Sequence, residues 1–213
     1  TKNIQSLLKL LLKQLNFFNM GMHDRVKGAP WFDWVTSKAV IIGGVGGIGS
    51  FVSFFVSRIG MEIHAFDMAT FEEHNMSGQL VPRSGIGKTK TVVANEIATL
   101  FSDKGIFRYG EYSETSLVTE IMISCFDNMK ARRIMFDNWE KYVDGLSNEE
   151  QEEAIFIDGR LNDEQYKIYC VLDSSSKKRK EYMNNYIFSA EKVEDSNDEC
   201  TFNYTYKCDE LGE

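Results

Sequence analysis

One stretch of the sequence constrains the fold more than any other, because an apolar run enters a glycine-rich turn and a second apolar run leaves it. The stretch reads "KAVIIGGVGGIGSFVSFFVSRIG" over residues 38–60. Gly44, Gly46 and Gly49 have the spacing G-x-G-x-x-G, typical of a strand, a tight turn and a helix that bind a nucleotide. Glycine lets the backbone approach a phosphate, and the helix N-terminus adds N–H groups. We therefore expect a nucleotide-binding turn, against the plainer interpretation of a turn that serves helix packing alone.

Short apolar runs alternate with helical patterns along the rest of the chain. The predicted strands are, in order, "KAVIIG", "MEIHAF", "GIFRYG", "IMISCF", "AIFIDG" and "YKIYCVL". The predicted helices cover residues 49–60, 88–102 and 128–143, where apolar side chains recur at helical spacing. Two charged segments, "SNEEQEE" and "SSSKKRKE", are interpreted as solvated loops. The predicted fold class is α/β: a Rossmann-like, mostly parallel sheet with helices on both faces and an N-terminal helical extension.

Three segments differ in composition. Residues 1–37 form the N-terminal helical extension, residues 38–172 the sheet-forming domain, and residues 173–213 an irregular tail or crossover region. The extension contains "IQSLLKLLLKQLNFF", in which one side of a helix would carry Leu7, Leu8, Leu11, Leu12 and Leu15. We expect that side to pack on the body of the protein or on a second subunit, rather than on a membrane surface. The chain begins at Thr1 and ends in "CDELGE", so we expect a piece of a longer protein.

Composition limits the classes of partner. The 213-residue chain has a formal net charge of -8, which argues against a nucleic-acid-binding face because phosphates select basic surfaces. No apolar run reaches the roughly 18 residues of a membrane span. The four cysteines are widely spaced and form no C-x-x-C pair, as expected in a reducing compartment. These features predict a cytoplasmic protein that binds neither nucleic acid nor membrane.

A second glycine-containing turn, "PRSGIGKTK" over residues 82–90, resembles a phosphate-binding P-loop. The P-loop pattern is a glycine, four residues and then Gly-Lys-Ser/Thr, and here Pro82 occupies the first glycine position. Proline has no N–H to give to a phosphate, and polar residues rather than a strand precede the turn. The first turn is therefore the stronger candidate, and a true P-loop is the weaker alternative.

Polar residues that follow predicted strands distinguish between nucleotides. Asp67 ends the second strand, where an acid can accept hydrogen bonds from ribose hydroxyls. Asp127 ends the fourth strand, where a carboxylate can hold the Mg²⁺ that bridges a triphosphate. Three further side chains can bind phosphate oxygens, namely Asn75, Gln79 and Lys90. These residues favour ATP over a dinucleotide, and an NAD(P)-dependent oxidoreductase is the alternative that remains.

These motifs, taken in order, resemble the ThiF/MoeB/HesA family of enzymes that activate ubiquitin-like proteins and sulfur carriers. The family pattern runs GxGGxG, D-x-D, N-x-x-R-Q, G-x-x-K and D-N-x-x-x-R. This chain reads "GVGGIG", "DMA", "NMSGQ", "GKTK" and "DNMKAR". The resemblance covers residues 38–172 and implies that they form an ATP-binding adenylation domain.

The resemblance implies an ATP-dependent adenylyltransferase. In the family reaction, a C-terminal carboxylate attacks the α-phosphate of ATP and pyrophosphate leaves. The resemblance implies that Gly44, Gly46, Gly47 and Gly49 lie behind the ATP, and that Asp67 holds its ribose. The acceptor would be a ubiquitin-like protein, a sulfur carrier or a peptide.

Further roles follow from the same resemblance. Asn75, Gln79 and Lys90 would bind the triphosphate, and Asp127 would hold Mg²⁺ and orient the α-phosphate. The family also uses an arginine from the N-terminal region of a partner subunit. Arg25, in "MHDRVKGAPW", is the candidate for that residue. The resemblance thus implies a homodimer, or a heterodimer with a related subunit.

Two positions depart from the family pattern. Gly78 stands where the family has the arginine of N-x-x-R-Q, and Ala69 replaces the second aspartate of D-x-D. Arg83 or Lys88 could supply the missing positive charge. If neither does, the chain would be a catalytically silent subunit that acts as a dimerisation partner.

The cysteines divide into two pairs. Cys200 and Cys208 lie beyond the predicted sheet and are candidates for a thioester or persulfide step, although ordinary cysteines are the plainer interpretation. Cys125 and Cys170 fall within predicted apolar strands, so we expect both to be buried in the core.

Overall fold

The computed structural model of the protein describes residues 21–162, 165–172 and 176–187. The strands are β1 (Ala39–Gly43), β2 (Glu62–Phe66), β3 (Ile106–Tyr109), β4 (Ile121–Ser124), β5 (Ile155–Asn162) and β6 (Gln165–Leu172). The helices are α1 (Pro30–Ser37), α2 (Gly49–Ile59), α3 (Lys90–Phe101), α4 (Met129–Val143), α5 (Asn148–Glu152) and α6 (Ser176–Tyr186). Two 3₁₀ turns, Glu73–Ser77 and Arg83–Gly85, lie between β2 and α3. The leucine-rich pattern lies outside the described residues.

The six strands form one sheet in the order β3-β2-β1-β4-β5-β6. Every neighbouring pair is parallel except β5 and β6, which are antiparallel. All six predicted strands and all three predicted helices are present, and the α/β, Rossmann-like fold class is confirmed. The chain leaves β1 towards β3 and then returns to β4 on the other side of β1. The carboxyl ends of β1 and β4 therefore meet at a topological switch point, where open α/β sheets bind ligands.

Helices cover both faces of this sheet. On one face, α2 and α3 pack on a core that includes Val40, Ile42 and Ile63. On the other face, α4 and α6 pack on a core that includes Trp139 and Phe156. Within the described parts of the chain, no helix has both the length and the hydropathy that crossing a bilayer requires.

Both charged segments are helical, so their interpretation as solvated loops is wrong. "SNEEQEE" forms α5, which begins with a reciprocal cap: Ser147 Oγ accepts the Glu150 N–H, and the Glu150 carboxylate accepts the Ser147 N–H. "SSSKKRKE" enters α6, where the Arg179 guanidinium bonds Asp144 Oδ1 at 2.7 Å. Tyr182 of the same helix is buried against the sheet. Tertiary contacts thus decide α6, and charge composition does not reveal them.

Candidate nucleotide-binding site

The first glycine turn lies at the switch point between β1 and β4. Gly44 has φ +84, in the left-handed region that favours glycine, and a Cβ there would lie 2.7 Å from Cys125 O. Gly49 begins α2, and a Cβ on Gly49 would overlap the carbonyl oxygen of Gly44. The turn is tied to the neighbouring strand because Gly44 N donates to Phe66 O at 2.8 Å. Close packing of the turn therefore requires both glycines.

The same turn presents a row of unused donors. The N–H groups of Gly46, Gly47, Ile48 and Gly49 donate no hydrogen bond within the described residues. A Cβ on Gly46 would meet no atom within 4 Å, so the turn is open on that side. These groups stand at the N-terminus of α2, where the helix dipole adds positive potential. An anionic ligand would satisfy the donors, and the turn therefore has the chemistry of a phosphate site.

Asp67 lies just beyond β2 and joins the glycine turn to the following loop. Its Oδ2 accepts the Val45 N–H at 2.7 Å, and its Oδ1 accepts the Ala69 N–H at 2.8 Å. Each carboxylate oxygen retains a second lone pair. Asp67 can therefore shape the turn and still accept a hydrogen bond from a ribose hydroxyl.

The residues after the first 3₁₀ turn pack on the start of α2. Leu80 N donates to Ser50 Oγ at 3.0 Å, which holds Gln79 close to the glycine turn. Gln79 Oε1 is buried and has no hydrogen-bond partner among the residues that the structure describes. An unsatisfied buried acceptor costs roughly 1–3 kcal/mol, which a ligand or a bound water would recover. Gln79 thus offers an unpaired polar atom where a ligand is expected.

Asn75 stabilises the first 3₁₀ turn. Its side chain is buried, and its Oδ1 accepts the Glu72 N–H at 2.9 Å. The side-chain nitrogen donates no hydrogen bond within the described part of the chain, so a donor remains for a phosphate oxygen.

The second glycine turn has already used its donors. Five of its N–H groups donate to backbone carbonyl oxygens at 2.8 to 3.3 Å, those of Gly85, Ile86, Gly87, Lys88 and Lys90. A P-loop presents these groups to phosphate and follows a strand directly. Here a 3₁₀ turn and loops connect β2 to the turn. The P-loop alternative is therefore excluded by geometry.

The two lysines of this turn differ in their surroundings. Lys88 Nζ bonds both carboxylate oxygens of Glu96 at 2.8 Å. Lys90 Nζ lies 5.6 Å from the centre of the Phe71 ring and has no carboxylate partner within the described residues. Lys90 N donates to Ala69 O at 2.9 Å, which places the start of α3 beside the loop that Asp67 shapes. Lys90 is thus the lysine whose charge is available to a ligand.

Neither substitute for the missing family arginine is free. Lys88 is paired with Glu96, as described, and Arg83 Nη1 lies 3.2 Å from Glu73 Oε1. Both side chains of the Arg83 pair are highly exposed, so they form a surface ion pair.

Asp127 lies in the loop after β4, which adjoins the glycine turn because Cys125 N donates to Gly43 O at 2.6 Å. Asp127 is exposed, and its Oδ1 accepts a hydrogen bond from Asn128 Nδ2 at 3.2 Å. Asn128 also caps α4 by accepting the Ala131 N–H at 2.8 Å. The described residues contain no group of three or more His, Cys, Asp or Glu that could hold a metal ion. A single carboxylate suits a metal that the ligand also coordinates.

A buried ion network, which the sequence analysis did not identify, holds this loop. Asp158 is fully buried and accepts hydrogen bonds from Arg132 Nη1, from Arg160 Nε at 2.6 Å and from the Tyr182 hydroxyl at 2.8 Å. Burial and the Asp158 carboxylate raise the pKa of Tyr182, so its hydroxyl stays protonated and donates. Arg132 also donates to Phe126 O, next to the candidate metal-binding carboxylate. The sequence feature that could have revealed this network is the charged pair Asp158 and Arg160 inside the mostly apolar strand β5.

Arg25 does not join the site of its own chain. The residues around it contact the far end of α2, where His23 Nε2 lies 2.8 Å from Arg58 O. Eleven helical residues span about 16 Å, and the glycine turn lies at the other end of that helix. Arg25 is exposed there, so any contact of its side chain with a nucleotide would require a second subunit.

The cysteine predictions have mixed outcomes. Cys170 is exposed, so the prediction that it is buried is wrong: it lies on the uncovered side of the edge strand β6. Cys125 is half-buried, and burial raises the pKa of its thiol to about 12. Cys200 and Cys208 lie outside the described residues.

The fold is shared with several solved structures. E. coli tRNA N6-threonylcarbamoyladenosine dehydratase, TcdA, aligns at 15% identity with a TM-score of 0.54, covering 68% of this chain and 61% of TcdA. PaaA aligns at 14% identity with a TM-score of 0.55, covering 68% of this chain and 45% of PaaA. E. coli MccB, solved with succinimide, aligns at 17% identity with a TM-score of 0.52, covering 83% of this chain and 56% of MccB. At such identities, the likeness establishes the fold.

The chain thus spans between 45% and 61% of the length of these three proteins. No protein-family model and no curated protein sequence matches it.

Proposed function

We propose that this chain is a divergent member of the ThiF/MoeB/HesA family and an ATP-dependent adenylyltransferase. Its substrate would be the C-terminal carboxylate of a ubiquitin-like protein, a sulfur carrier or a peptide, which it would convert to an acyl-adenylate with release of pyrophosphate. One observation carries the proposal: at the switch point of the sheet, next to the turn that Asp67 holds, four consecutive N–H groups donate to no described residue.

The solved structures support ATP as the nucleotide. TcdA has been solved in complex with ATP, and that structure aligns with this chain at 17% identity with a TM-score of 0.50. The sequence motifs agree with the shared fold, since the glycine turn follows β1, Asp67 follows β2 and Asp127 follows β4. Fold and motifs are separate observations, and together they favour adenylation over hydride transfer to a nicotinamide.

The residues of the site suit ATP in distinct ways. The glycine turn would receive phosphate on its free N–H groups, and Asp67 would accept hydrogen bonds from the ribose hydroxyls. Gln79 and Asn75 offer unpaired amide atoms to the triphosphate. The Lys90 ammonium, which has no carboxylate partner within the described residues, would offset the negative charge of the phosphates.

Asp127 is the candidate ligand for Mg²⁺. Carboxylate oxygens are preferred ligands of Mg²⁺, which usually binds through one or two carboxylates together with substrate phosphates. The ion would neutralise charge on the triphosphate and bring it against the loop after β4. Arg132 and Asp158 would fix the backbone of that loop, so that Asp127 approaches the α-phosphate in one orientation.

The chemical step needs no covalent enzyme nucleophile. An oxygen of the acceptor carboxylate forms a bond to the α-phosphorus, and the bond from that phosphorus to the bridging oxygen breaks. Pyrophosphate leaves with the electron pair. The protein contributes positioning and charge stabilisation, which are the main sources of rate in phosphoryl-group chemistry.

The arginine that Gly78 lacks would come from a second subunit in this proposal. Arg25 is exposed in the segment that contacts the far end of α2, where a neighbouring molecule can receive it. The active enzyme would then be a homodimer, or a heterodimer with a related subunit. We expect it in the cytoplasm, with a thioester or persulfide step at Cys200 or Cys208 as a further hypothesis.

A second function has its own supporting observation. Arg83 and Lys88 are paired with carboxylates, so neither replaces the arginine that is missing at Gly78. A chain without that charge could be a catalytically silent subunit that serves as a dimerisation partner. This alternative predicts nucleotide binding without turnover, or no nucleotide binding at all.

ATP–pyrophosphate exchange with a panel of candidate carriers and peptides tests the proposal. Carrier-dependent exchange would support adenylation. If ATP raises the melting temperature but no exchange occurs, even when a related subunit is added, the chain is better explained as a catalytically silent subunit. Stabilisation by NADH and not by ATP with Mg²⁺ would overturn the proposal in favour of an oxidoreductase.

A further inference from the structure

The two faces of β6 have different surroundings. On one face, Tyr169 and Val171 pack towards α6, where Tyr182 is buried. On the other face, four alternating side chains are exposed: Tyr166, Ile168, Cys170 and Leu172. Tyr166, Ile168 and Leu172 are 55%, 58% and 49% exposed, respectively. We refer to these four residues as the bare face of β6.

A second exposed apolar row lies on α2. Phe51, Phe55 and Ile59 are 39%, 61% and 37% exposed and follow one another at four-residue spacing, so they share one side of the helix. Ile48 lies on the same side, one turn earlier. A Cβ on Gly159 would lie 3.3 Å from the Ile48 side chain, so this side of α2 borders β5.

The two apolar rows lie on the same side of the sheet. Ile155 packs in the core that α2 covers, and it is paired with Leu172 across the β5–β6 ladder. Directly paired residues project to the same face, so the bare face of β6 and the covered core form one continuous side. An apolar area of this kind, flanked by a helix, is typical of a surface that another segment covers.

The path of the chain indicates which segment covers it. The described residues begin at Gly21, and His23 Nε2 lies 2.8 Å from Arg58 O. The His23 ring also lies 2.9 Å from a Cβ built on Gly60. The chain therefore meets the C-terminal end of α2 at Arg58 and Gly60, the two sequence neighbours of Ile59, where the apolar row ends. The preceding segment starts from the edge of the uncovered surface.

The preceding sequence has the pattern that such a surface requires. In "IQSLLKLLLKQLNFF", five leucines lie on one side of a helix: Leu7, Leu8, Leu11, Leu12 and Leu15. Lys9 and Lys13 would lie on the opposite side. A 15-residue helix is about 22 Å long, and an eight-residue strand is about 26 Å long, so the segment matches β6 in length.

We propose that residues 4–18 dock in cis on the surface formed by the bare face of β6 and the apolar row of α2. The leucine side contacts the sheet, and Lys9 and Lys13 face solvent. The segment thus takes the place of a covering helix on the β5–β6 half of this face. This proposal is independent of the nucleotide chemistry.

Cross-linking to Cys170 tests the proposal directly. In a chain with Cys200→Ser and Cys208→Ser, single cysteines are introduced on the leucine side (Leu8→Cys, Leu11→Cys or Leu15→Cys), and Lys13→Cys is the matched control. A short bifunctional maleimide should link at least one leucine-side cysteine to Cys170 within a single chain, while Lys13→Cys should not link. Links between two chains would overturn docking in cis and identify a second copy as the occupant. Absence of any link from the three leucine positions would also overturn it.

Alkylation of Cys170 gives a second readout. In the full chain carrying Leu8→Glu and Leu12→Glu, alkylation of Cys170 should be at least roughly tenfold faster than in the unchanged chain, because the thiol becomes uncovered. Lys9→Glu is the matched control and should leave the rate unchanged. Circular dichroism and the melting temperature establish that each variant is folded. Equal rates in a folded Leu8→Glu, Leu12→Glu variant and in the unchanged chain would refute the docking.

Discussion

The two glycine turns of this protein have similar residues and opposite uses of their backbone. In the first turn, the N–H groups of residues 46–49 stand at a helix N-terminus and donate to no residue in the described part of the chain. In the second turn, five N–H groups are already bonded to carbonyl oxygens. A phosphate site therefore depends on unused donors at the end of a strand, and a short glycine motif alone does not guarantee them.

A side chain that fills the first glycine turn should reduce ATP binding more than any other change considered. Gly49→Ala should abolish ATP-dependent thermal stabilisation and pyrophosphate exchange, because its Cβ would overlap the carbonyl oxygen of Gly44. The matched control is Gly85→Ala in the second turn, whose Cβ would lie 3.0 to 3.1 Å from Val81 and Val93. That change should cost about 1–3 kcal/mol of folding free energy and leave nucleotide binding in place. Equal loss of ATP binding in the two folded variants would contradict the comparison.

The next effect concerns the carboxylate at the switch point. Asp127→Ala should lower pyrophosphate exchange by about 100-fold or more, since one metal contact stabilises the transition state by several kcal/mol. Its exposed side chain makes a single hydrogen bond to a neighbouring amide, so the melting temperature should stay close to that of the unchanged protein. Near-normal pyrophosphate exchange in the variant would show that Asp127 is not a residue of the site.

The two lysines of the second turn sharpen the comparison further. Lys90→Ala should weaken the use of ATP by roughly 10-fold to 100-fold, because it removes the lysine charge that no described carboxylate neutralises. Lys88→Ala should have little effect on ATP, since it removes an exposed ion pair with Glu96. The KM for ATP, measured in both variants, decides between them. A larger effect from Lys88→Ala would restore the P-loop interpretation.

The smallest effect reports on packing beneath the first turn. Burial raises the pKa of the Cys125 thiol to about 12, so the reactive thiolate becomes abundant only as the pH approaches that value. Alkylation of Cys125 in the folded protein should therefore keep rising, by about tenfold per pH unit, between about pH 8 and about pH 10. In denaturant, the thiol recovers its ordinary pKa, and the rate should level off within that range. A plateau at the same pH in the folded protein would show that Cys125 is not buried in this way.

Much of the fold was predictable because its signals are local. Apolar runs such as "AVIIG" and "IMIS" identify strands, and Gly60 follows α2 as a helix-ending glycine should. The prediction failed where contacts distant in sequence decide the structure. α6 is stabilised by Arg179 against Asp144 and by burial of Tyr182, and neither contact is visible in a run of charged residues.

The candidate site divides in the same way. Residues of the glycine turn, together with Asp67 and Asp127, were located from motif spacing, because each follows a strand whose end the topology brings to one edge. Motif spacing alone did not indicate whether Lys88 or Lys90 binds the phosphates, and only the family resemblance favoured Lys90. The two lysines differ because Lys88 pairs with Glu96 whereas Lys90 lies over the Phe71 ring, and the folded chain brings these partners together.

Local periodicity and backbone freedom fix the order of strands and helices, the positions of both glycine turns and the acids at the strand ends, and the amino-acid sequence shows all of these directly. Three features depend on the folded chain: which turn has N–H groups that no described residue accepts, which lysine has no described carboxylate partner, and the burial of Asp158 between two arginines. The physical reason is that hydrogen bonds and ion pairs are satisfied by whichever partners the fold brings within about 3 Å. In this protein, those partners lie on strands, loops and helices far apart in the chain.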